Sequence, residues 1–430
     1  MHRLINRLFR STPLLLRIAA LVLGLWGMPQ PQACVGDAPP PPSDRFFPLA
    51  YGTAPSENQL RELGRKLFFD PTLSASGKQS CASCHSPAHA YGPPNALAIQ
   101  PGGPHLDRLG VRSTPSLRYL HTPRPFTEHY IDLADHHGQD SGPAGGRTWD
   151  GRVNLARDQA LMPLLDPVEM ANADRGDLVA RLRHAPYADD FLRAFSPPGG
   201  NVFDNVDMTL GWLSMAIEYF EQSPDDFHPF TSKYDAHLRG HVKLSASEQR
   251  GLRLFNDKNK GNCASCHPST RDTTVPGSLP IFTDFEFSAL GVPRNQHTPA
   301  NADPAFYDMG LCGPFRTDLQ DKPHYCGRFR TPSLRNVGTR HAFFHNGSLH
   351  SLEDVLRFYV TRDLTPQRWY GRDQRGRVVR FNDLPPAYRG NVSQDIPFKP
   401  LPGGQPRLSA ADIKDVAAFL RTLSDGYHHP

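Results

Sequence analysis

The sequence has little net charge and no long hydrophobic run. Its 47 basic and 43 acidic side chains leave a formal charge of +4. Residues 1–33 contain four arginines and no carboxylate, so the remainder of the chain is formally neutral. A neutral chain has no electrostatic attraction to nucleic acid or to an anionic membrane surface, and we expect neither as a partner. The apolar run Ile18–Met28 is too short to span a bilayer comfortably.

The first 33 residues have the pattern of a secretory signal peptide. An arginine-rich stretch precedes the short apolar run, and a small residue, Ala33, stands before Cys34. We therefore predict export to the periplasm, with residues 34–50 left as a proline-rich arm; the alternative is a retained membrane anchor. Cys34 lies where a lipoprotein would be cleaved and lipidated, although the residues before it match the usual lead-in poorly.

Strand-like alternation of apolar and polar residues is scarce. The 43 prolines and 35 glycines are scattered without a period, which excludes a collagen-like or fully disordered chain and predicts many loops. The regular patterns are helical, with apolar residues at helical spacing over 205–222 and 409–424. Ser409 is the expected N-cap of the second of these helices, with Asp412 three residues later. We predict a mostly α protein.

Two C-x-x-C-H motifs carry the clearest chemistry of the sequence, at Cys81–His85 and Cys263–His267. Two thiols at this spacing add to the vinyl groups of a haem, and the adjacent histidine ligates the iron. Zinc would leave both histidines unexplained, and a redox dithiol would need a βαβ context that neither copy has. We therefore predict two covalently bound haem c groups. The expected attachment and ligand residues are Cys81, Cys84, His85, Cys263, Cys266 and His267.

Two further cysteines, Cys312 and Cys326, lie fourteen residues apart in a loop-rich stretch. In an oxidising compartment we expect them to form a disulfide. The alternative is a reactive redox pair.

An internal repeat divides the chain into two related halves. The pentapeptide Thr-Pro-Ser-Leu-Arg follows both haem motifs, at 114–118 and at 331–335. We predict an N-terminal domain over 51–238 and a C-terminal domain over 239–430. Both would be cytochrome-c-like, and each would bind one haem.

The repeat predicts that the two haem sites are unequal. Trp149 and His345 occupy corresponding positions, and fourteen residues after them stand Pro163 and Tyr359. If the halves align without a gap and this position faces the distal side of each haem, Tyr359 caps the second haem. Proline has no ligand atom in its side chain, so the first haem would stay open to a small oxidant.

These features resemble the bacterial dihaem cytochrome c peroxidase and MauG family. The resemblance extends from about Glu57 to Ser424, and it includes Trp149–Arg152, Glu169–Ala171 and Phe344–Gly347 besides the haem motifs. It implies that the first haem reacts with hydrogen peroxide and that the second transfers electrons. The ligand pattern is most similar to MauG-type members, MbnH-like proteins included, which place a tyrosine on the second haem where the peroxidases place a methionine.

The resemblance implies roles for individual residues. His85 and His267 would be the proximal ligands of the peroxidatic and the electron-transfer haem. Trp149 would relay electrons between them, where the alternative is an ordinary core aromatic. Glu169 would move a proton between the two peroxide oxygens, where the alternative is a glutamate on a helix surface. His105 matches the histidine that caps the first haem of resting peroxidases and that MauG-type members lack.

The family also binds one calcium ion between its domains, through an asparagine side chain and backbone carbonyls. Ser113 stands at the asparagine position here, and the carbonyls of Arg340 and Ala342 would supply the other oxygens. A hydroxyl is a weaker calcium ligand than an amide carbonyl, which weakens the expectation of calcium.

The connection at 119–148 is longer than is usual in the family and contains His129, His136 and His137. These histidines form either a metal site or, as we expect, part of an ordinary loop surface.

The resemblance leaves three functions open. A MauG-type oxidase would use peroxide to oxidise a partner protein, such as a copper-binding protein, and Tyr359 favours it. A cytochrome c peroxidase would take electrons from a small cytochrome or cupredoxin, and His105 favours it. A non-enzymatic dihaem electron carrier is disfavoured by Pro163 and Glu169. Relatives are often dimers, so the resemblance also allows a homodimer.

Overall fold

Helices dominate the regular structure, as the apolar spacing predicts. The computed structural model describes residues 55–131, 140–271 and 277–428. Its α-helices are α1 (Glu57–Phe69), α2 (Cys81–Cys84), α3 (Ala156–Leu165), α4 (Arg175–Arg183), α5 (Ala188–Phe195), α6 (Val206–Glu221), α7 (Pro224–Phe227), α8 (Lys233–Leu238), α9 (Ala246–Asn256), α10 (Leu352–Thr361), α11 (Pro366–Trp369) and α12 (Ala410–Arg421). Short 3-10 helices lie at Pro71–Leu73, Pro87–His89, Val202–Asp204, Cys263–Ser265, Pro299–Ala302, Pro323–Tyr325, Val337–Thr339 and Pro386–Asn391. The prediction of a mostly α protein is confirmed.

The strands form two small antiparallel pairs. β1 (Pro101–Gly102) pairs with β2 (Arg108–Leu109), and β3 (Phe287–Ser288) pairs with β4 (Phe329–Arg330). Strands of two residues bury no sheet face, so their role is to fix the path of the loops that contain them.

Side-chain caps explain where the main helices begin. Ser409 and Asp412 form the predicted capping box at the start of α12, and Asn205 caps α6. These two helices confirm the helical segments predicted at 409–424 and 205–222. Ser56 before α1 and Ser245 before α9 form capping boxes of the same kind, so the helices ahead of the two haem motifs start in the same way.

A glycine lies at each of two helix crossings. A Cβ atom on Gly64 in α1 would lie 1.9 Å from the carbonyl oxygen of Ala216 in α6. A Cβ atom on Gly251 in α9 would lie 2.0 Å from the carbonyl oxygen of Asp415 in α12. The missing side chain lets the two backbones approach closely at both crossings.

Aromatic side chains fill the core beside each crossing. Next to α1 and α6, Phe68 and Phe220 meet edge to face with ring centres 5.3 Å apart. Next to α9 and α12, Phe255 and Phe419 do the same at 5.3 Å. Each such pair contributes roughly 0.5–1.5 kcal/mol beyond its buried area. The two crossings are therefore held by packing of the same type.

The described residues all belong to one compact unit. The predicted domain boundary falls between α8 and α9 and stays a prediction. The predicted signal peptide, proline-rich arm and Cys34 lie outside the described residues. Within the part of the chain that the structure describes, no helix is long and apolar enough to cross a membrane.

Candidate haem sites

Each C-x-x-C-H motif folds into a single turn with its histidine at the end. His85 N–H donates to Cys81 O at 2.8 Å, and His267 N–H donates to Cys263 O at 2.9 Å. The rings of both histidines bind a backbone carbonyl through Nδ1, His85 at 3.1 Å and His267 at 2.8 Å. A carbonyl only accepts, so Nδ1 carries the proton and Nε2 keeps its lone pair, as a haem ligand requires. Burial lowers the pKa of both imidazoles to about 4, which keeps them neutral at pH 7.

The acceptor carbonyls belong to two aromatic residues that the sequence did not single out, Tyr91 and Phe282. Tyr91 has φ 54° and Phe282 has φ 57°. This left-handed conformation is rare for bulky side chains and is retained only where the surroundings demand it. Here it belongs to the two residues whose carbonyls orient the predicted proximal histidines.

The repeated pentapeptide holds these two carbonyls in place. Ser116 Oγ donates to Ala90 O at 2.7 Å, and Ser333 Oγ donates to Ile281 O at 2.6 Å. The next backbone N–H groups, those of Leu117 and Leu334, donate to the same Tyr91 and Phe282 carbonyls that accept from the histidines. The repetition of Thr-Pro-Ser-Leu-Arg was the one sequence feature that pointed to this scaffold.

The surroundings of the four motif cysteines favour the protonated form of a thiol. Burial raises the pKa of Cys84 to about 11 and the pKa of Cys263 and Cys266 to about 12, and it raises that of Cys81 as well. Redox-active C-x-x-C pairs have lowered thiol pKa values. The raised values therefore disfavour a redox dithiol at either motif.

A cavity of about 1340 Å³ lies against the second motif. Cys263, Cys266, His267 and Tyr359 all line it, and Trp149 lies on its wall. Ordinary small-molecule pockets occupy roughly 300–1,000 Å³, so this space suits a group as large as a haem. The thiols, the oriented imidazole and the volume together fit a covalently attached haem.

Tyr359 lies on α10 at the edge of this cavity, stacked on Phe398 with ring centres 5.2 Å apart. Burial and the nearby thiols of Cys266 and Cys263 raise the pKa of its phenol. Within the described residues, its hydroxyl has no hydrogen bond. The hydroxyl is therefore free to face a group in the cavity.

Glu169 lies in the loop after α3. Its carbonyl accepts from Gly103 N–H at 2.7 Å, and its N–H donates to Asp166 O at 3.0 Å. The side chain reaches solvent, although the surrounding protein desolvates its carboxylate. This burial, with the charge of Asp166, raises its pKa to about 7, while Arg152 opposes the shift. At neutral pH such a carboxylate can both accept and return a proton.

His105 is exposed at the turn between β1 and β2. Its hairpin packs on the loop of Glu169, since a Cβ atom on Gly102 would lie 2.3 Å from Val168 O. No hydrogen bond or ion pair among the described residues involves His105. The structure therefore places the hairpin beside Glu169, while ligation of a haem by His105 stays a prediction.

Trp149 is half-buried, and its indole Nε1–H donates to Ser113 O at 2.8 Å. The carboxylate of the next residue, Asp150, is 0% exposed and pairs with Arg112 at 2.7 Å and Arg152 at 2.9 Å. Burial alone would raise the pKa of Asp150, but the two arginines hold it below its ordinary value. The Trp149 backbone is thus anchored by a buried ionic cluster.

Cys312, Cys326 and His129 do not line the cavity. Cys312 and Cys326 form a disulfide. His129 is exposed and its Nδ1 lies 2.6 Å from Asp140. His136 and His137 lie outside the described residues.

The residues expected to hold calcium do lie together. The guanidinium of Arg340 lies between the other two residues. Its Nη2 is 3.5 Å from Ser113 Oγ, and its Nε donates to Ala342 O at 3.2 Å. These oxygens therefore already have a cationic partner.

Comparison with known proteins agrees with these features. The family model for di-haem cytochrome c peroxidase, CCP_MauG, matches residues 58–243. The methylamine utilization protein MauG of Paracoccus denitrificans is 31% identical over 392 residues, which cover 89% of this chain and 93% of that protein. The cytochrome c551 peroxidase of Pseudomonas aeruginosa is 29% identical over 73% of this chain and 75% of that protein.

A solved structure shows the same similarity in three dimensions. The diheme peroxidase BthA from Burkholderia thailandensis has a TM-score of 0.74 and 36% identity, and the match covers 87% of this chain and 90% of that chain. The MauG and cytochrome c peroxidase relatives indicate haem peroxidase or oxidoreductase activity. This chain is an enzyme of that class, and it belongs to the bacterial di-haem cytochrome c peroxidase and MauG family.

Proposed function

We propose that this chain reacts with hydrogen peroxide at an open N-terminal haem and uses the stored oxidising equivalents to oxidise a partner protein, as a MauG- or MbnH-like enzyme does. Its proposed place is the periplasm, after removal of residues 1–33. Cys81, Cys84 and His85 would hold the first haem, and Cys263, Cys266, His267 and Tyr359 the second. The partner would be a small cytochrome, a cupredoxin or a copper-binding protein.

The observation that carries the proposal is the correspondence of α3 and α10. The two helices begin seven residues after Trp149 and His345, and each is ten residues long. Pro163 and Tyr359 therefore fall at the same position of corresponding helices, which supports the gapless alignment of the two halves. The matching crossings at Gly64 and Gly251 support the same internal repeat. One site would then have a phenol at this position and the other would have none.

The haems, when bound, would supply the iron that reacts with peroxide and holds the oxidising equivalents. The chain would supply the proton transfers. Glu169 would take a proton from the peroxide oxygen next to the iron and return it to the outer oxygen, which would leave as water. A pKa of about 7 suits a group that must both accept and release a proton.

Trp149 would carry electrons between the sites and toward the partner. Its indole is held at Ser113 O, and Asp150 fixes the following backbone within an ionic cluster. Because the indole and the backbone after it are both anchored, the ring would keep a fixed distance to each of the two haems. The rate of an electron relay depends on these distances.

The test is the reaction of the ferric, full-length exported protein with one equivalent of hydrogen peroxide. We expect a long-lived state that is two oxidising equivalents above the ferric protein. Stopped-flow absorption measures the lifetime of this state. Tyr359→Phe should shorten its lifetime, while Tyr388→Phe, a change outside the cavity, should leave it unaltered. Absence of the long-lived state in the wild type would overturn the proposal.

A cytochrome c peroxidase is the second candidate, favoured by the hairpin that places His105 next to the loop of Glu169. It predicts rapid peroxide turnover with a reduced small cytochrome or cupredoxin, and activation by prior one-electron reduction. His105→Ala should then remove the need for prior reduction. Slow turnover with every such donor, before and after reduction, would exclude this candidate.

A further inference from the structure

A guanidinium lies where the resemblance to the family places calcium. Arg340 Nη2 donates to Thr114 O at 3.0 Å and approaches Ser113 Oγ at 3.5 Å, while Nε donates to Ala342 O at 3.2 Å. Ser113 is 1% exposed and Ala342 is 0% exposed, so these oxygens lie inside the protein. The residues present do not fit a calcium ion, because a hydroxyl replaces the amide oxygen and a side chain occupies the centre of the site.

The guanidinium of Arg340 contacts carbonyl and hydroxyl oxygens rather than a carboxylate. No ion pair among the described residues includes it. Like any arginine guanidinium, it is positively charged at neutral pH. Its charge is stabilised by neutral oxygens, and backbone carbonyls of this kind also coordinate calcium in proteins.

Two of the three oxygens that Arg340 contacts, Ser113 Oγ and Thr114 O, belong to the segment that holds Trp149. Ser113 O accepts the indole N–H at 2.8 Å, and Ser113 N–H donates to His345 O at 2.6 Å. Thr114 opens the first pentapeptide, whereas Ala342 lies in the second half of the chain. Arg340 thus ties the backbone that accepts from Trp149 to the second half.

We propose that the guanidinium of Arg340 replaces the calcium ion of the family, so that this protein needs no calcium. Arg340 is then a positioning residue for Trp149, acting through Ser113. The proposal holds whether the electrons come from a partner protein or from a small donor.

The first test uses the wild-type holoprotein. After dialysis against EGTA and then against metal-free buffer, we expect no stoichiometric calcium by elemental analysis and no heat of binding when calcium chloride is added. The ferric absorption and EPR spectra should also be the same before and after EGTA. One calcium ion per chain, or a spectral change that added calcium reverses, would overturn the proposal.

The second test makes the protein dependent on calcium. Ser113→Asn combined with Arg340→Ala restores an amide oxygen and empties the centre of the site, so the double variant should bind one calcium ion per chain. Arg340→Ala alone should change the ferric EPR spectrum and slow peroxide turnover by about ten- to a hundredfold, since misplacement by an ångström can cost that much. Added calcium should reverse both effects in the double variant, which a merely structural defect would not allow.

Arg389→Ala is the matched control, because Arg389 also donates to a backbone carbonyl, that of Leu384 at 3.2 Å. It should leave the EPR spectrum and the turnover unchanged. If Arg340→Ala also left both unchanged, the positioning role would be wrong. If Arg340→Ala did not fold, the chelation result for the wild type would still decide the proposal.

Discussion

Glu169 is the residue whose protonation should govern the reaction with peroxide. Because burial and Asp166 raise its pKa to about 7, the basic form is scarce below neutrality and predominates above it. We expect the rate of the peroxide reaction to rise with pH through about 7. Glu169→Gln should lower the rate by roughly 10²–10⁴-fold and remove this step. Stopped-flow rates of the ferric protein across neutral pH measure both effects.

Asp166→Asn is the matched control for this assignment. The asparagine can still accept from Val168 N–H, as Asp166 Oδ1 does at 3.0 Å, but it lacks the negative charge that helps to raise the pKa of Glu169. The midpoint of the pH profile should therefore move to lower pH, with the plateau rate preserved. A profile that keeps its midpoint in both variants would assign the titration to another group.

At the scale of residues, side chains with characteristic chemistry were predictable and backbone groups were not. The C-x-x-C-H spacing identified His85 and His267 because only a few side chains ligate iron. The carbonyls of Tyr91 and Phe282 were missed, since every residue has a carbonyl and only a folded backbone shows which one faces a ring. The guanidinium of Arg340 was missed for a related reason, because the resemblance drew attention to its carbonyl.

At the scale of elements, the crossing of α1 and α6 depends on the absence of one side chain. Gly64→Ala would place a Cβ atom 1.9 Å from Ala216 O, and backbone atoms cannot rotate away as a flexible side chain would. We expect a loss of about 1–3 kcal/mol or more in the free energy of unfolding, as for other overpacked sites. Gly251→Ala should cost a similar amount, since its Cβ atom would lie 2.0 Å from Asp415 O. Urea denaturation of the holoprotein measures both.

Gly390→Ala controls for the change of glycine to alanine itself. No atom lies within 4 Å of the added methyl group, so this substitution should be neutral or stabilise by about 0.4–1 kcal/mol through the unfolded state. If Gly64→Ala lowered the free energy of unfolding no more than Gly390→Ala does, the close approach of α1 and α6 at Gly64 would be contradicted.

The long helices α6 and α12 were predictable from local signals, and the two-residue strands were not. α12 shows why, because its capping box at Ser409 and its apolar spacing both lie within one short stretch of sequence. β1 to β4 have two residues each, too few for any alternation to be visible. The hairpin that places His105 beside the loop of Glu169 therefore had no sequence pattern of its own.

At the scale of the whole molecule, the two halves are joined by ion pairs between residues far apart in the chain. Arg112 binds Asp308 through Nε at 2.6 Å and through Nη2 at 2.8 Å, and it reaches Asp150 through Nη1 at 2.7 Å. Asp150 is 0% exposed and Asp308 is 7% exposed. Such pairings carry no local pattern, so the sequence predicted two domains but could not predict what fixes one to the other.

Arg112→Ala should therefore destabilise the whole protein, because it leaves two buried carboxylates without their main partner. Removing one member of a buried pair typically costs about 3–5 kcal/mol. Arg175→Ala removes a solvent-exposed pair with Asp207 at 2.7 Å, and it should cost at most about 1 kcal/mol. Urea midpoints of the two variants at neutral pH measure the difference, and equal losses would contradict a role for Arg112 in joining the halves.

The pH dependence of stability gives an independent check on the same cluster. The pKa of Asp150 is lowered in the folded protein, since Arg112 and Arg152 outweigh the effect of its burial. Its contribution to stability is therefore complete above the unfolded pKa of about 3.9 and is lost as the pH falls through the lower, folded value. The wild type should lose stability in this acidic range more steeply than Arg112→Ala, in which the carboxylate has lost one of its two cations. Parallel acid-unfolding curves for the two proteins would show that Arg112 does not hold Asp150 in its ionised form.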